Sequence, residues 1–112
     1  MNLLRRLGHL DVVIPCHNEE EVITHTHGRL TGILRDLARK NLIASYSIIF
    51  VDNGSTDATL AFLLKLFRSD DHVVVVSLRN NFGFQGSLTA GLHHTSGDAV
   101  ITIDADLQDP PE

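Results

Sequence analysis

Tyr46-Ser47-Ile48-Ile49-Phe50-Val51-Asp52-Asn53-Gly54-Ser55-Thr56-Asp57 is the stretch on which the fold turns. Its first half is apolar on both faces and rich in β-branched and aromatic residues, the composition of a strand buried in the middle of a sheet. Its second half breaks into a carboxylate, an amide and a glycine for a tight turn. The hydroxyl and carboxylate groups of Ser55-Thr56-Asp57 then suit a helix N-cap. The apolar stripe Leu60, Leu63, Leu64 and Phe67 predicts the helix that follows. A buried strand running through a polar turn into a helix is the first half of a βαβ unit.

Three further runs of the same kind lie outward from it: Leu10-Asp11-Val12-Val13-Ile14, His72-Val73-Val74-Val75-Val76-Ser77-Leu78 and Asp98-Ala99-Val100-Ile101-Thr102-Ile103. Val22, Ile23, Leu30, Ile33, Leu34 and Leu37 recur on a helical period and predict a helix from about Glu20 to Lys40. A third helix is expected from Gln85 or Gly86 to Ser96-Gly97, with Gly97 as a left-handed C-cap. The order β-α-β-α-β-α-β calls for a parallel sheet with right-handed crossovers. The expected fold class is α/β, a three-layer α/β/α Rossmann-like sheet of order 3-2-1-4, with the run near Val100 beside the run near Val13. Ligands of such sheets bind at the carboxyl ends of the strands. Three polar segments fall there: Pro15-Cys16-His17-Asn18-Glu19-Glu20-Glu21, Asp52 to Asp57, and Asp104-Ala105-Asp106-Leu107-Gln108-Asp109.

A chain of 112 residues is one domain and excludes a second independent core. At 43% hydrophobic residues it can bury a core. Nine Lys and Arg against fourteen Asp and Glu give a formal net charge of −5, so there is no basic footprint for a nucleic acid. No apolar run approaches the roughly 18 residues of a membrane span, and Asn2-Leu3-Leu4-Arg5-Arg6-Leu7 is too short and charged for a signal peptide. A cytoplasmic setting is expected. The lone Cys16 excludes an internal disulfide and a cysteine-cluster zinc site, and reads as a small buried apolar residue. The chain stops at Pro110-Pro111-Glu112, directly after its most charged loop, the pattern of a domain truncated at its C-terminus.

Asp104-Ala105-Asp106 sets two carboxylates at i and i+2 just past a buried strand, where both can lean toward one hard divalent cation such as Mg²⁺ or Mn²⁺. The competing reading is a solvated acidic turn. Asp52, at the end of its strand, is placed to accept hydrogen bonds from a nucleobase or ribose, while Gly54, Ser55 and Asp57 serve turn and cap chemistry equally well. Neither G-x-G-x-x-G nor G-x-x-x-x-G-K-[ST] occurs, which disfavours a dinucleotide oxidoreductase and a Walker-type NTPase. Of the seven histidines, His25 and His27 point to different helix faces, and His93-His94 straddle a helix end. All are read as surface residues except His17, in the loop after the first strand, whose role stays open.

Val13-Ile14-Pro15-Cys16-His17-Asn18-Glu19, Phe50 to Asp57 and Gly97 to Glu112, in that order, resemble the nucleotide-sugar half of a family 2 glycosyltransferase. The last segment, with Arg79-Asn80-Asn81-Phe82-Gly83 and Leu88-Thr89-Ala90-Gly91-Leu92, is most similar to the polyprenyl-phosphate subgroup, the bactoprenol and dolichol-phosphate glycosyltransferases. The likeness spans roughly residues 10 to 112 and implies a GT-A fold. It implies an inverting hexosyltransferase that moves a hexose from a UDP- or GDP-sugar to a polyprenyl phosphate at the cytoplasmic face of a membrane. Mg²⁺ or Mn²⁺ would be held by Asp104 and Asp106, with these two and Gln108 as the catalytic set. Pro15, Asn18, Glu19, Asp52, Asn53 and Ser55 would line the nucleotide-sugar pocket, with Asp104 meeting the diphosphate. The acceptor would be met by a C-terminal part absent from this chain. Three departures stand out: Asn53 where the family usually has a second Asp, an extra Asn after Arg79, and Phe84 in place of a usual Lys. A catalytically silent nucleotide-binding module is the alternative function.

Overall fold

A computed structural model describes residues 7–106. The elements run β1 (Leu7–Cys16), α1 (Ile23–Arg39), β2 (Ile43–Asn53), α2 (Thr59–Ser69), β3 (Val73–Leu78), α3 (Gly83–Leu92) and β4 (Ala99–Thr102). All strand pairs are parallel and the sheet order is β3-β2-β1-β4, as the alternation of elements requires. The central pair runs in register from Leu7 opposite Ile43 to Cys16 opposite Asp52.

Alternation along these two strands sorts side chains onto two faces. Leu10, Val12, Ile14 and Cys16, with Ile48 and Phe50, pack against Ile23, Leu30 and Leu34 of α1 and Leu63 and Leu66 of α2. Val13, Ile49 and Val51 face the other way, toward Leu88 and Ala90 of α3. Phe50, Ile48 and Ile49 are wholly buried, each contributing about 1.5–3 kcal/mol of apolar transfer energy. The α3 layer lies unusually close: a Cβ on Gly91 would sit 2.5 Å from Val13 Cγ1 and 3.0 Å from Val51 Cγ2. Two of the four residues expected in the α2 stripe, Leu64 and Phe67, are instead exposed, and Leu66 joins Leu63 inside.

Element ends depart from the sequence pattern where long-range hydrogen bonds intervene. The α1 helix starts at Ile23 rather than near Glu20, because the Glu19 and Glu20 N–H groups donate to Thr59 Oγ1 (2.8 Å) and Asp57 Oδ2 (3.4 Å) across the loop after β2. Asp57 does help to start α2, accepting from Thr59 N–H at 2.9 Å, although the assigned flanking residue is Ala58. The α3 helix begins at Gly83 and ends at Leu92, earlier at both ends than expected. Gly97 is not its C-cap. Its N–H and that of Ser96 donate to Asp11 Oδ2 at 2.7 and 2.9 Å, and a Cβ there would fall 2.5 Å from the His9 carbonyl oxygen. Gly97 is therefore a close-approach glycine at the start of β4, and the buried Asp11 carboxylate is satisfied by the backbone it anchors.

Two histidines read as surface groups are drawn inward. His9 bonds Ser45 Oγ (2.6 Å) and Ser47 Oγ (3.0 Å), and His27 bonds Asp70 Oδ2 at 2.7 Å, tying α1 to the end of α2. Burial works to raise the Asp70 pKa. Hydrogen bonds from the His72 N–H and from the His27 and His72 rings outweigh it and hold the carboxyl below its ordinary value. A depressed carboxyl contributes stability that is present above its unfolded pKa of about 4 and lost as pH falls through the lower folded value. Asp70→Ala should cost about 1–3 kcal/mol at pH 7. Urea titrations of both proteins should show the difference shrinking below about pH 4.

Candidate functional site

The carboxyl ends of β1 and β2, the turn after β4 and the start of α3 meet on one rim. The first strand leaves the sheet at Cys16, and Asn18 turns the chain with φ +55°. Asn18 Oδ1 accepts from the N–H of Thr56 (2.8 Å) and Asp57 (3.3 Å), while its own N–H donates to Ser55 Oγ at 2.9 Å. His17 Nδ1–H donates to the Asn53 carbonyl at 2.9 Å, which fixes the imidazole as a brace between the two loops. Glu19 is thereby held half-buried at the mouth.

Asn53 clasps the other side. Its Nδ2 donates to Asn81 Oδ1 (3.0 Å) and the Gly83 carbonyl (3.1 Å), and its Oδ1 accepts from Phe82 N–H at 2.9 Å. Gly54, with φ +68°, lets the backbones touch, since a Cβ there would lie 2.5 Å from Asn80 C and Asn81 N. Between the two clasps opens a cleft of about 300 Å³, bounded by Pro15, Cys16, His17 and Glu19 on one side and Gly83, Phe84 and Ser87 on the other, with Asn53 and Asn81 between them. Phe84, 60% exposed, forms its outer wall.

The carboxylate pair is placed by the residue between its members. Ala105 is buried in the main core, and its carbonyl accepts a hydrogen bond from the fully buried Thr26 hydroxyl of α1. With Ala105 pinned inward, Asp104 and Asp106 are left exposed on either side of it. They are close enough to act on Glu19, whose pKa is raised by burial first and then by the carboxylates of Asp106, Asp57 and Asp104, against a lowering effect of His17. Hard oxygen donors of this kind fit Mg²⁺ or Mn²⁺. No group of three His, Cys, Asp or Glu among the described residues forms a cage for an ion, so a cation here would need oxygen ligands from elsewhere.

Of the expected pocket residues, Pro15, Glu19 and Asn53 line the cleft. Asn18 turns instead to a neighbouring hollow beside Glu20 and Asp57. Asp52 is buried beneath the rim, accepting from Ser55 N–H at 3.3 Å. Gln108 lies outside the described residues. Cys16 is buried, with its thiol donating to the Ile14 carbonyl. Burial, then Glu19 and Asp52, push its pKa far up, so it is no nucleophile. Sequence reasoning missed Asn81 and Thr26. Thr26 had left a signal: a hydroxyl in the apolar stripe between Ile23 and Leu30 needs a buried partner.

This four-stranded order with its helices is the GT-A fold, and a solved relative shares it: the mannosyltransferase PcManGT from Pyrobaculum calidifontis in complex with GDP-Man and Mn²⁺, at TM-score 0.74 and 25% identity over 91% of this chain and 28% of that one. Residues 11–112 match the Glycosyl transferase family 2 model, and the chain belongs to that family. It is 44% identical over 92% of its length to an uncharacterised glycosyltransferase of Synechocystis, and 36% identical over 92% to an undecaprenyl-phosphate 4-deoxy-4-formamido-L-arabinose transferase of Salmonella paratyphi A. It spans 31% and 30% of those two proteins. No helix among the described residues is long and apolar enough to cross a membrane.

The Asn53 clasp makes a sharp expectation. Asn53→Asp would set a carboxylate against Asn81 Oδ1 and the Gly83 carbonyl with no proton to share. A loss of about 1–3 kcal/mol should appear as a lower urea midpoint.

Proposed function

We propose that this chain is the donor-binding part of an inverting family 2 glycosyltransferase that moves a hexose from a UDP- or GDP-sugar to a polyprenyl phosphate. The observation that carries the reading is the exposed pair Asp104 and Asp106 flanking the buried Ala105, outside the lining of the cleft but near enough for their charges to act on Glu19 in its wall. Pro15, Glu19 and Asn53 would receive the nucleotide, while Asn18, Asp52 and Ser55 hold the loops that shape its pocket. Asp104 and Asp106 would hold Mg²⁺ or Mn²⁺ together with the donor diphosphate, and Gln108 would complete the catalytic set near the sugar. A cation so held neutralises the charge that gathers on the diphosphate as the glycosidic bond breaks.

The rest of the chemistry asks little of the protein. A lipid phosphate is ionised near neutral pH and needs no strong general base, and one in-line displacement inverts the anomeric carbon. The pinned loops hold the donor so that attack comes from one side. The undecaprenyl-phosphate relative supports a lipid acceptor, and the GDP-Man and Mn²⁺ of the mannosyltransferase support a nucleotide sugar and a divalent ion.

Without a cation, the rim carboxylates and a diphosphate repel, by about 1 kcal/mol for each pair of charges 4 Å apart even in water. Calorimetry should therefore show UDP or GDP binding at least about tenfold tighter with Mn²⁺ than with a chelator. Asp106→Ala should remove most of that difference. Equal affinity in both conditions would overturn the reading. Sugar transfer to a polyprenyl phosphate would exclude the alternative of a silent nucleotide-binding module.

A further inference from the structure

A second cleft, of about 520 Å³, opens toward the other end of the sheet, between the second half of α1 and the starts of β2 and β3. Its walls are Gly32, Arg35, Ala38, Arg39, Tyr46 and His72. Tyr46 stands opposite Leu10, six residues before the Cys16–Asp52 pair, which puts it roughly 20 Å from the donor rim.

Three observations set this cleft apart. The chain carries a net charge of −5, yet the cleft's walls hold two arginines and a histidine and no carboxylate. Two nearby carboxylates are engaged: Asp36 pairs with Lys40 at 2.9 Å and with Arg39 at 3.5 Å, and Asp70 accepts from His72 and His27. Arg35 and Arg39, four apart on α1, project from the same helix face. Beside them Gly32 borders open space, since a Cβ there would meet nothing within 4 Å.

The third observation concerns Tyr46. The residue is 5% exposed, and its hydroxyl has no hydrogen-bond partner among the described residues, whereas most buried polar side-chain atoms are paired. The His72 ring stacks on the Tyr46 ring at 4.0 Å and 10°, which holds the phenol in place. A buried hydroxyl without a partner, in a cleft walled by two arginines, fits a ligand that accepts hydrogen bonds and carries negative charge. Guanidinium groups match the oxygens of a phosphate in pairs. A volume of 520 Å³ is that of an organic small-molecule site.

We propose that the cleft formed by Arg35, Arg39, His72 and Tyr46 binds an organic phosphate, separately from the donor rim. The phosphate oxygens take the Arg35 and Arg39 guanidinium donors and the Tyr46 hydroxyl, and the organic body lies along Ala38 and the arginine stems. The same chemistry is offered by a soluble phosphate ester and by a phospholipid headgroup.

The test uses phenyl phosphate in one arm and phosphatidylglycerol vesicles, against phosphatidylcholine vesicles, in the other. Both are run with a chelator so that the donor rim does not contribute. Amide shifts of Gly32, Ala38 and His72 report the site in the first arm, and co-sedimentation reports it in the second. Saturable binding in either arm is expected, weakened about tenfold or more by Arg35→Gln. A response to phenyl phosphate assigns a soluble ester, and a response to phosphatidylglycerol alone assigns a headgroup. Tyr46→Phe keeps the ring stack, so it should melt no lower than the wild type yet bind more weakly. Absence of binding in both arms, or binding that Arg35→Gln leaves unchanged, would overturn the proposal.

Discussion

The parallel, in-register pairing of β1 with β2 is the constraint from which the rim follows. Because Cys16 stands opposite Asp52, the two strands end together and their loops leave the sheet at one level. The loops are then close enough for Asn18 to cap the backbone of Thr56 and Asp57, and for His17 to reach the Asn53 carbonyl. A slip of one residue would send Ile14 and Phe50 to the opposite face and dissolve both the core and the rim. The apolar alternation that specifies the register thus also specifies where the chemistry sits.

The two ends of this sheet are built on different principles. At the carboxyl end the polar side chains largely bond loop backbone, and the clasp residues Asn18 and Asn53 satisfy groups that the loops would otherwise leave unpaired within the protein. What remains outward is acidic: Asp104, Asp106 and the half-buried Glu19, whose pKa is raised first by burial and then by the neighbouring carboxylates. At the amino end Arg35 and Arg39 of α1 line a cleft in which a phenol is left without a partner among the described residues.

Thr26 illustrates how the core reaches into the site. Its hydroxyl is wholly buried and must find an acceptor, and the one it finds is the carbonyl of Ala105. That bond fixes the backbone between the two aspartates, so the orientation of a charged surface pair rests on α1, the helix whose core Ala105 joins. Glu19 is held from the same layer, through its N–H to the buried Thr59 of α2.

The sequence by itself determined the kinds of elements, their order, the parallel sheet with β1 and β2 at its centre, and the strand ends at which polar residues gather. These follow from local periodicity and from the handedness of crossovers, and both are written in neighbouring residues. Only the tertiary structure decided which polar residues serve the chain itself and which face outward. Asn53 and Asn81 are 28 residues apart and Thr26 and Ala105 are 79 apart, so nothing in local pattern announces that they meet. The same holds for Gly97, whose position after a helix suggested a cap but whose small size is required by the His9 carbonyl and the Asp11 carboxylate on another strand. Hydrogen-bond partners are chosen by proximity in space once the core has set. The roles of single polar residues therefore become legible only when the layers are in place.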